Sequence, residues 1–267
     1  MIALVLAAGL GTRLRPLTDI WPKCLMPIHG RPLLEYWFSD LFECGVKKIL
    51  INTHFHSPEV LSFVKRDFFE GKVEVFEESE LLGTAGTVRS MAGALDDSSV
   101  IVVHADNWMD FDLQILLDHH RAFLKRSKEY SMSMLTFTSD NPSSAGVVVC
   151  DNDGIVTEFH EKVTRPPSNI ANGAVYVVEP QVVEWIVAHP DVTDFSLQVI
   201  PQFLGRIGTV HNNSIHRDIG TIESLLIAQK DPYKKQKLIY WTDDWLEKFK
   251  KNDIHNLIKF ASSELFE

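Results

Sequence analysis

Cysteine is scarce in this chain. Cys24, Cys44 and Cys150 are the only three, and no two stand at a Cys-x-x-Cys spacing, so neither a disulfide framework nor a cysteine metal knuckle is expected. Long apolar runs are missing too. Ile2 to Ala8 is stopped by Arg13 and Arg15, well short of the ~20 residues of a membrane span, and no basic region precedes it. A cytoplasmic protein with no membrane partner is predicted. Positive charge is in deficit, with 26 basic residues against 36 acidic ones and a net charge of −10, which repels a polyanion and argues against nucleic acid. No internal repeat or low-complexity stretch suggests a solenoid. What is present is ordinary globular material, 267 residues of which 45% are hydrophobic, enough for one large α/β core.

Apolar runs of strand length alternate with helix-period segments through the first half, the pattern of a mainly parallel sheet covered on both faces. The expected fold class is α/β, a doubly wound Rossmann-like core with antiparallel additions. Ile2 to Ala8 is the first strand, and Leu33, Leu34, Trp37, Phe38 and Leu41 recur at helical spacing before Gly45. Further strands are expected at Lys48–Asn52, Val73–Phe76 and Val100–Val103, with a helix entered at Pro58 and a third helix after Gly86. Beyond Phe123 the texture changes: Met132 to Thr138 alternates, and Asp153-Gly154 between two strand-like runs predicts a hairpin. Antiparallel pieces are therefore expected from about residue 140 to 217, a setting where pockets form. Residues 231–267 read as a short helical extension, with Trp241, Trp245 and Phe249 as a packing stripe against the core or against a second subunit of a homo-oligomer.

The most informative segment is the loop after the first strand, Gly9-Leu10-Gly11-Thr12-Arg13-Leu14-Arg15-Pro16-Leu17-Thr18, closed by Pro22-Lys23. Glycines at the carboxyl end of a buried strand let backbone N–H groups approach a phosphate, and open α/β sheets bind ligands there. Leu14 occupies the place of the third glycine of a dinucleotide fingerprint, and no Gly-x-x-x-x-Gly-Lys-Ser/Thr is present. That weighs against an NAD-dependent oxidoreductase and against a P-loop enzyme. Within residues 1–34 the cations Arg13, Arg15, Lys23 and Arg31 face a single acid, Asp19, a local reversal of the overall charge. A solvated surface loop is the bland alternative.

These residues resemble the signature of the sugar-1-phosphate nucleotidylyltransferases, Gly-x-Gly-Thr-Arg followed by Pro-Leu-Thr and Pro-Lys. Gly9, Gly11, Thr12, Arg13, Pro16, Leu17, Thr18, Pro22 and Lys23 match it over fifteen residues, and the likeness extends over about residues 1–230, which become a nucleotidyltransferase catalytic domain. The resemblance implies that Ala7, Ala8, Gly9, Gly11 and Thr12 bind the nucleotide, with Arg13 on the β/γ phosphates and Lys23 near the α-phosphate as catalytic groups. Its substrates would be a nucleoside triphosphate and a sugar 1-phosphate.

Nucleotidyl transfer concentrates charge on phosphate oxygens, so it calls for a divalent metal and fixed cations more than for an acid–base pair. Asp106 and Asp218 resemble the family's metal-binding aspartates and would hold Mg2+ (magnesium). Each could instead be a turn residue or helix N-cap. The family often carries tryptophan two places before the second aspartate, where this chain has His216. Glu161, Lys162 and Asn172, with Gly146 lining the pocket, resemble the sugar-phosphate site, although Val163 replaces the usual proline. Asp194-Phe195-Ser196 is expected to cap a helix over that pocket. His54-x-His56 and His119-His120 have no third partner at metal-ligand spacing.

The base should be read near Gly83 and Thr84, within Leu82-Gly83-Thr84-Ala85-Gly86. Gly-Thr-Ala-Gly resembles the guanylyl branch, since uridylyl and thymidylyl members often carry glutamine at the position of Thr84. GTP with a mannose or heptose 1-phosphate is the resulting expectation. A uridylyl- or thymidylyltransferase, and a non-catalytic sugar-nucleotide-binding regulator, are the alternatives.

Overall fold

The computed structural model describes residues 1–54, 56–127, 129–232 and 241–266. Strand β1 (Ile2–Leu6) is followed by the two-residue strands β2 (Pro27–Ile28) and β3 (Arg31–Pro32), helix α1 (Leu33–Glu43), β4 (Lys48–Thr53), α2 (Ser57–Val64) and β5 (Val73–Glu77). Then come α3 (Gly83–Met91), β6 (Val100–His104), β7 (Asn107–Met109), α4 (Leu113–Arg126), β8 (Met132–Thr138), β9 (Gly146–Cys150), β10 (Val156–Glu161) and β11 (Ile170–Val178). The chain ends with α5 (Pro180–Ala188), β12 (Ile207–Asn212), β13 (His216–Asp218), α6 (Ile222–Ala228), α7 (Asp244–Lys250) and α8 (Ile254–Phe266). The architecture is α/β, with alternating strands and helices from β1 to β6 and antiparallel additions after α4. Among the described residues no helix is long and apolar enough to cross a membrane.

Two compact units form. One comprises Met1–Leu4, Leu82–Val103 and Phe111–Ser214, the other Val5–Leu81, His104–Asp110 and Ile215–Glu267.

In the first unit β11 is the organising strand, antiparallel to β6 through Val175↔Val103 and to β8 through Tyr176↔Met134. Val100–Val103 and Val175–Val178 are buried on both faces, which is why they read as unbroken apolar runs rather than alternating ones. Strands β9 and β10 form the predicted hairpin, turning at Gly154 with φ +77°. Strand β12 runs parallel to β8. In the core of this unit His120 bonds Ser133 Oγ through Nδ1 (2.9 Å) and Glu179 Oε1 through Nε2 (2.9 Å). The trio resembles a catalytic relay, but Ser133 is completely buried, so it is an internal polar network. Burial drives the His120 pKa below its ordinary value, although Glu179 opposes the shift.

In the second unit β4 and β5 pair in parallel, β7 and β13 antiparallel. Glu35 of α1 is fully buried and accepts from Arg66 Nη1 at 2.7 Å and from Arg31. Arg66 Nε also donates to Asp243 Oδ2 at 2.6 Å, while Asp243 Oδ1 caps α7 by accepting from Leu246 N at 2.9 Å. That ion network fixes the start of α7. The expected aromatic stripe is internal: Trp245 meets Phe63 edge-on at 5.1 Å and Phe249 in a stack at 5.3 Å. Trp241 precedes α7 rather than lying on it, and packs on Phe69 at 5.0 Å. Of the expected tail helices, residues 233–240 lie outside the described residues.

Candidate active site

The glycine loop belongs to the second unit. Leaving β1, Ala7 N donates to Asn52 Oδ1 at 2.6 Å, and Asn52 Nδ2 donates to Glu78 Oε1 at 2.8 Å. Gly11 takes φ +61°, and a β-carbon there would lie 2.7 Å from the Thr18 methyl, so only glycine fits this turn. Thr18 Oγ1 donates to the Gly11 carbonyl at 2.8 Å. Leu14 and Leu17 are buried and pin the loop, whereas the Arg13 side chain is 69% exposed. Leu14 therefore stands where a fingerprint glycine is absent because it is a core anchor. At Gly9 a β-carbon would meet nothing within 4 Å; the preceding Ala8 is buried, and Thr12 opens the short helical turn that follows Gly11.

Lys23 enters on a short turn after Pro22 whose next residues, Cys24 and Leu25, are buried. Only 10% of its side chain is exposed, and Nζ donates to Asp106 Oδ2 at 2.6 Å and to Asp218 Oδ1 at 3.0 Å. Arg13 Nη2 lies 3.5 Å from Asp218 Oδ2. Asp106 stands in the turn between β6 and β7. Asp218 ends β13, whose register sets it opposite Asn107, and Ile219 N donates to the Asp106 carbonyl at 3.0 Å. The bidentate pair from Arg217 to Asp231, at 2.9 and 3.0 Å, steadies the same strand. His216 sits half-buried in β13 opposite Met109.

Burial by itself would lower the Lys23 pKa, but the two carboxylates outweigh it and the value is raised. Burial, the largest single influence, would likewise raise Asp106, but the Lys23 charge and hydrogen bond together with the His104 charge outweigh it, leaving its carboxyl below the usual range. Lysine is thus held as a cation and the aspartate as an anion. Burial pushes the neighbouring Cys24 thiol up to about 12, which removes it as a nucleophile.

Gly220 was not singled out by sequence reasoning, yet a β-carbon there would lie 2.8 Å from both Arg13 Nη2 and Asp218 Oδ2. The signal was available as a glycine two places after the second aspartate. Asn52 carried no such signal, because its partner Ala7 is 45 residues away.

The remaining predicted residues lie in the first unit. Helix α3 begins at Gly83 rather than after Gly86. With φ +74°, Gly83 brings its backbone so near Thr193 that a β-carbon would lie 2.5 Å from the Thr193 carbonyl. Thr84 Oγ1 accepts from Phe195 N at 2.7 Å, and Ala85 N donates to Thr193 O at 2.9 Å. The hydroxyl of Thr84 is thus part of the 193–195 turn. Asp194 caps the following helical turn through Leu197 N at 2.7 Å.

Glu161 and Gly146 pair across the β9–β10 hairpin. The Glu161 carboxylate packs over Gly146, where a β-carbon would lie 2.5 Å from Oε2. Lys162 follows with φ +49°, donating its N–H to Ala145 O and holding Nζ 3.1 Å from Glu161 Oε1. In β11 the register shifts between Asn172 and Tyr176, Ala174 takes φ +53°, and Asn172 Oδ1 accepts from Ala174 N at 3.0 Å. The bulge turns Asn172 toward Tyr176, whose hydroxyl accepts from Nδ2 at 2.6 Å. Burial raises the Tyr176 pKa, and the charges of Glu161 and Asp194 raise it further. Glu161, Asn172 and Asp194 therefore share one electrostatic environment around Tyr176.

Among the described residues no three His, Cys, Asp or Glu side chains cluster closely enough to hold a metal by themselves. His54 Nδ1 bonds the Glu78 carbonyl at 2.8 Å. Asp106 and Asp218 offer a different donor set, two half-exposed carboxylates already brought to one cation. Magnesium is commonly held by one or two carboxylates with the rest of its shell from water and phosphate, so this pair fits it.

The Nucleotidyl transferase family model matches residues 2–235. The chain is 30% identical over 238 residues to a mannose-1-phosphate guanylyltransferase of Mycobacterium tuberculosis, covering 86% of this chain and 64% of that protein. It is 32% identical over 204 residues to a putative mannose-1-phosphate guanyltransferase of Sulfolobus acidocaldarius, covering 76% and 54%. It thus spans under two thirds of the length of these curated relatives. Among solved structures, a putative glucose-1-phosphate thymidylyltransferase from Bacillus anthracis in complex with a sucrose has the same fold, with a TM-score of 0.76 at 21% identity over 92% of this chain and 99% of that one. HddC from Yersinia pseudotuberculosis complexed with GMP-PN matches with a TM-score of 0.69 at 25% identity over 86% and 98%. With the family model covering nearly the whole chain and the glycine loop, Lys23 and both aspartates inside the matched span, this protein belongs to the nucleotidyl transferase family.

Proposed function

We propose that this protein transfers a guanylyl group from GTP to a sugar 1-phosphate of the mannose or heptose type, releasing pyrophosphate. The observation that carries the proposal is the Lys23 ammonium held between Asp106 and Asp218 beside the glycine loop. Guanylyl choice is supported by the names of the curated relatives and by the GMP-PN ligand of the Yersinia protein. In this reading residues 1–230 are the catalytic domain, 231–267 a helical extension, and the reaction is cytoplasmic because it consumes a nucleoside triphosphate.

The backbone from Ala7 to Thr12 receives the triphosphate at the open face of Gly9, with Arg13 on the β/γ phosphates. A phosphate oxygen of the sugar 1-phosphate attacks the α-phosphorus in line, its P–O bond forming as the bond to the β-phosphate oxygen breaks and pyrophosphate departs. Lys23, kept protonated by its carboxylate neighbours, supplies fixed positive charge to the α-phosphate oxygens as negative charge builds on them. Asp106 and Asp218 would hold Mg2+, which when bound offsets phosphate charge. Glu161 and Asn172 bind sugar hydroxyls, Lys162 takes the sugar phosphate, and the backbone of Gly146 lines the pocket beneath Glu161. Gly83 and Thr84 read the base.

The test is pyrophosphate release by the purified protein with GTP, ATP, CTP, UTP or dTTP against mannose, glucose, N-acetylglucosamine, N-acetylmuramic acid and heptose 1-phosphates, with the product identified by mass. GTP is expected to lead by at least ~10²-fold in kcat/KM, since a site built to hydrogen-bond one base leaves polar groups unpaired with another. A preference for UTP or dTTP overturns the guanylyl assignment. No turnover with any pair, alongside binding of a sugar nucleotide, favours the non-catalytic regulator.

A further inference from the structure

We infer that His56 is a positioning residue that grips the far end of the Gly9–Thr18 loop and thereby sets nucleoside triphosphate affinity; the inference rests on the reading of that loop as the triphosphate site. Among the described residues, Asn52 and His56 reach the loop from around the β4–α2 connection. Asn52, at 3% exposure, holds its start by accepting from Ala7 N at 2.6 Å. His56 Nε2 lies 3.1 Å from the Thr18 carbonyl, and because a carbonyl can only accept, Nε2 carries the proton.

Thr18 is the hinge pin of the loop. It is buried, its hydroxyl donates to the Gly11 carbonyl at 2.8 Å, and its methyl lies beneath Gly11. A displaced Thr18 backbone would therefore move the left-handed Gly11 turn, which directly precedes Thr12 and Arg13. The backbone of His56 itself is unusual, with φ +54°, a left-handed region uncommon for residues bearing a β-carbon, although histidine and asparagine enter it more readily than most. It precedes α2 yet makes no side-chain cap to that helix. The conformation instead aims the ring back at the loop. One turn on, Glu59 sets Oε2 3.7 Å from His56 Nδ1, and that oxygen is buried with no hydrogen bond of its own among the described residues. At 3.7 Å Glu59 neighbours the imidazole without a hydrogen bond to it, so the contact with the Thr18 carbonyl is the one the positioning role uses.

Because His56 acts through backbone preorganisation, its loss should raise the ordering cost of triphosphate binding and leave the chemical step in place. The test compares His56→Asn, His56→Gln, Thr18→Val and Arg13→Ala by steady-state kinetics with GTP and mannose 1-phosphate and by thermal melting. Asparagine tolerates the left-handed backbone but is too short to reach Thr18; glutamine restores a donor at longer reach. His56→Asn should raise the GTP KM roughly 3- to 10-fold, the scale of one lost hydrogen bond, with kcat within about twofold. The KM for mannose 1-phosphate should not move, and His56→Gln should recover part of the loss. Thr18→Val should act in the same direction and combine non-additively with His56→Asn. An unchanged GTP KM in His56→Asn and Thr18→Val, with a raised one in Arg13→Ala, overturns the inference alone. Parallel rises in both KM values with a lowered Tm also overturn it, since they mark a merely structural residue. A GTP KM unmoved in all of these variants overturns the loop reading and the inference together.

Discussion

Lys23 Nζ stands 2.6 Å from Asp106 and 3.0 Å from Asp218, so one ammonium joins carboxylates that are 112 residues apart in the chain. Each aspartate side chain is more than a third exposed, so water partly screens the pairs, although the lysine between them is nearly buried. In the proposed reaction this arrangement holds three charges ready for a phosphate. Lys23→Met should leave the chain folded, with Tm lowered because two carboxylates lose their shared cation, and should lower kcat by on the order of 10²–10³, the usual scale for losing one preorganised electrostatic contact. Near-full turnover in a folded variant would refute the role.

Asp106→Asn and Asp218→Asn should each remove most activity, and the double variant should be scarcely worse than either single one, because both serve one site. Raised magnesium should partly restore each single variant. Additive losses at unchanged magnesium dependence would make them structural turn residues.

Gly220→Ala probes the same site without touching a charge. Its β-carbon would intrude to 2.8 Å on Arg13 Nη2 and Asp218 Oδ2, and both are ends of movable side chains, so the fold can yield at small cost. Activity should fall at least ~10-fold through displaced charges, with Tm within a few degrees of the parent. A fully active variant would show that Arg13 and Asp218 need not hold this geometry.

His120 should be visible in stability against pH. Burial first, and Arg121 in addition, lower its pKa despite Glu179, so it is neutral in the folded chain at neutral pH. The unfolded chain takes up a proton near pH 6.5, so this contribution to stability is complete above that pH. It is lost as the pH falls through the window below 6.5 to the depressed folded value. Urea midpoints measured at pH 7.5 and 5.5 should converge less in wild type than in His120→Asn, which carries no proton-linked penalty at this position. An identical pH slope in the two proteins would remove His120 as a source of acid sensitivity.

Much of this molecule was legible in its sequence because the relevant signals are local. The Val100–Val103 run, the Asp153-Gly154 turn and the glycine loop after β1 each declare themselves within a few residues, through side-chain period, turn chemistry or the need for backbone close to a ligand. The resemblance of Gly9 to Lys23 likewise sits in fifteen consecutive positions. Tertiary structure decided what no window contains. Helix α3 starts at Gly83 because the Thr193 carbonyl receives Ala85 N and Phe195 N reaches Thr84, contacts spanning more than a hundred residues. Trp241 has helical spacing to Trp245 yet precedes α7, whose start is set by Arg66 holding Asp243. Local pattern specifies which residues seek burial or a turn; which carboxylate meets Lys23, or which imidazole meets Thr18, follows only when strand pairing and packing bring distant segments within hydrogen-bond reach.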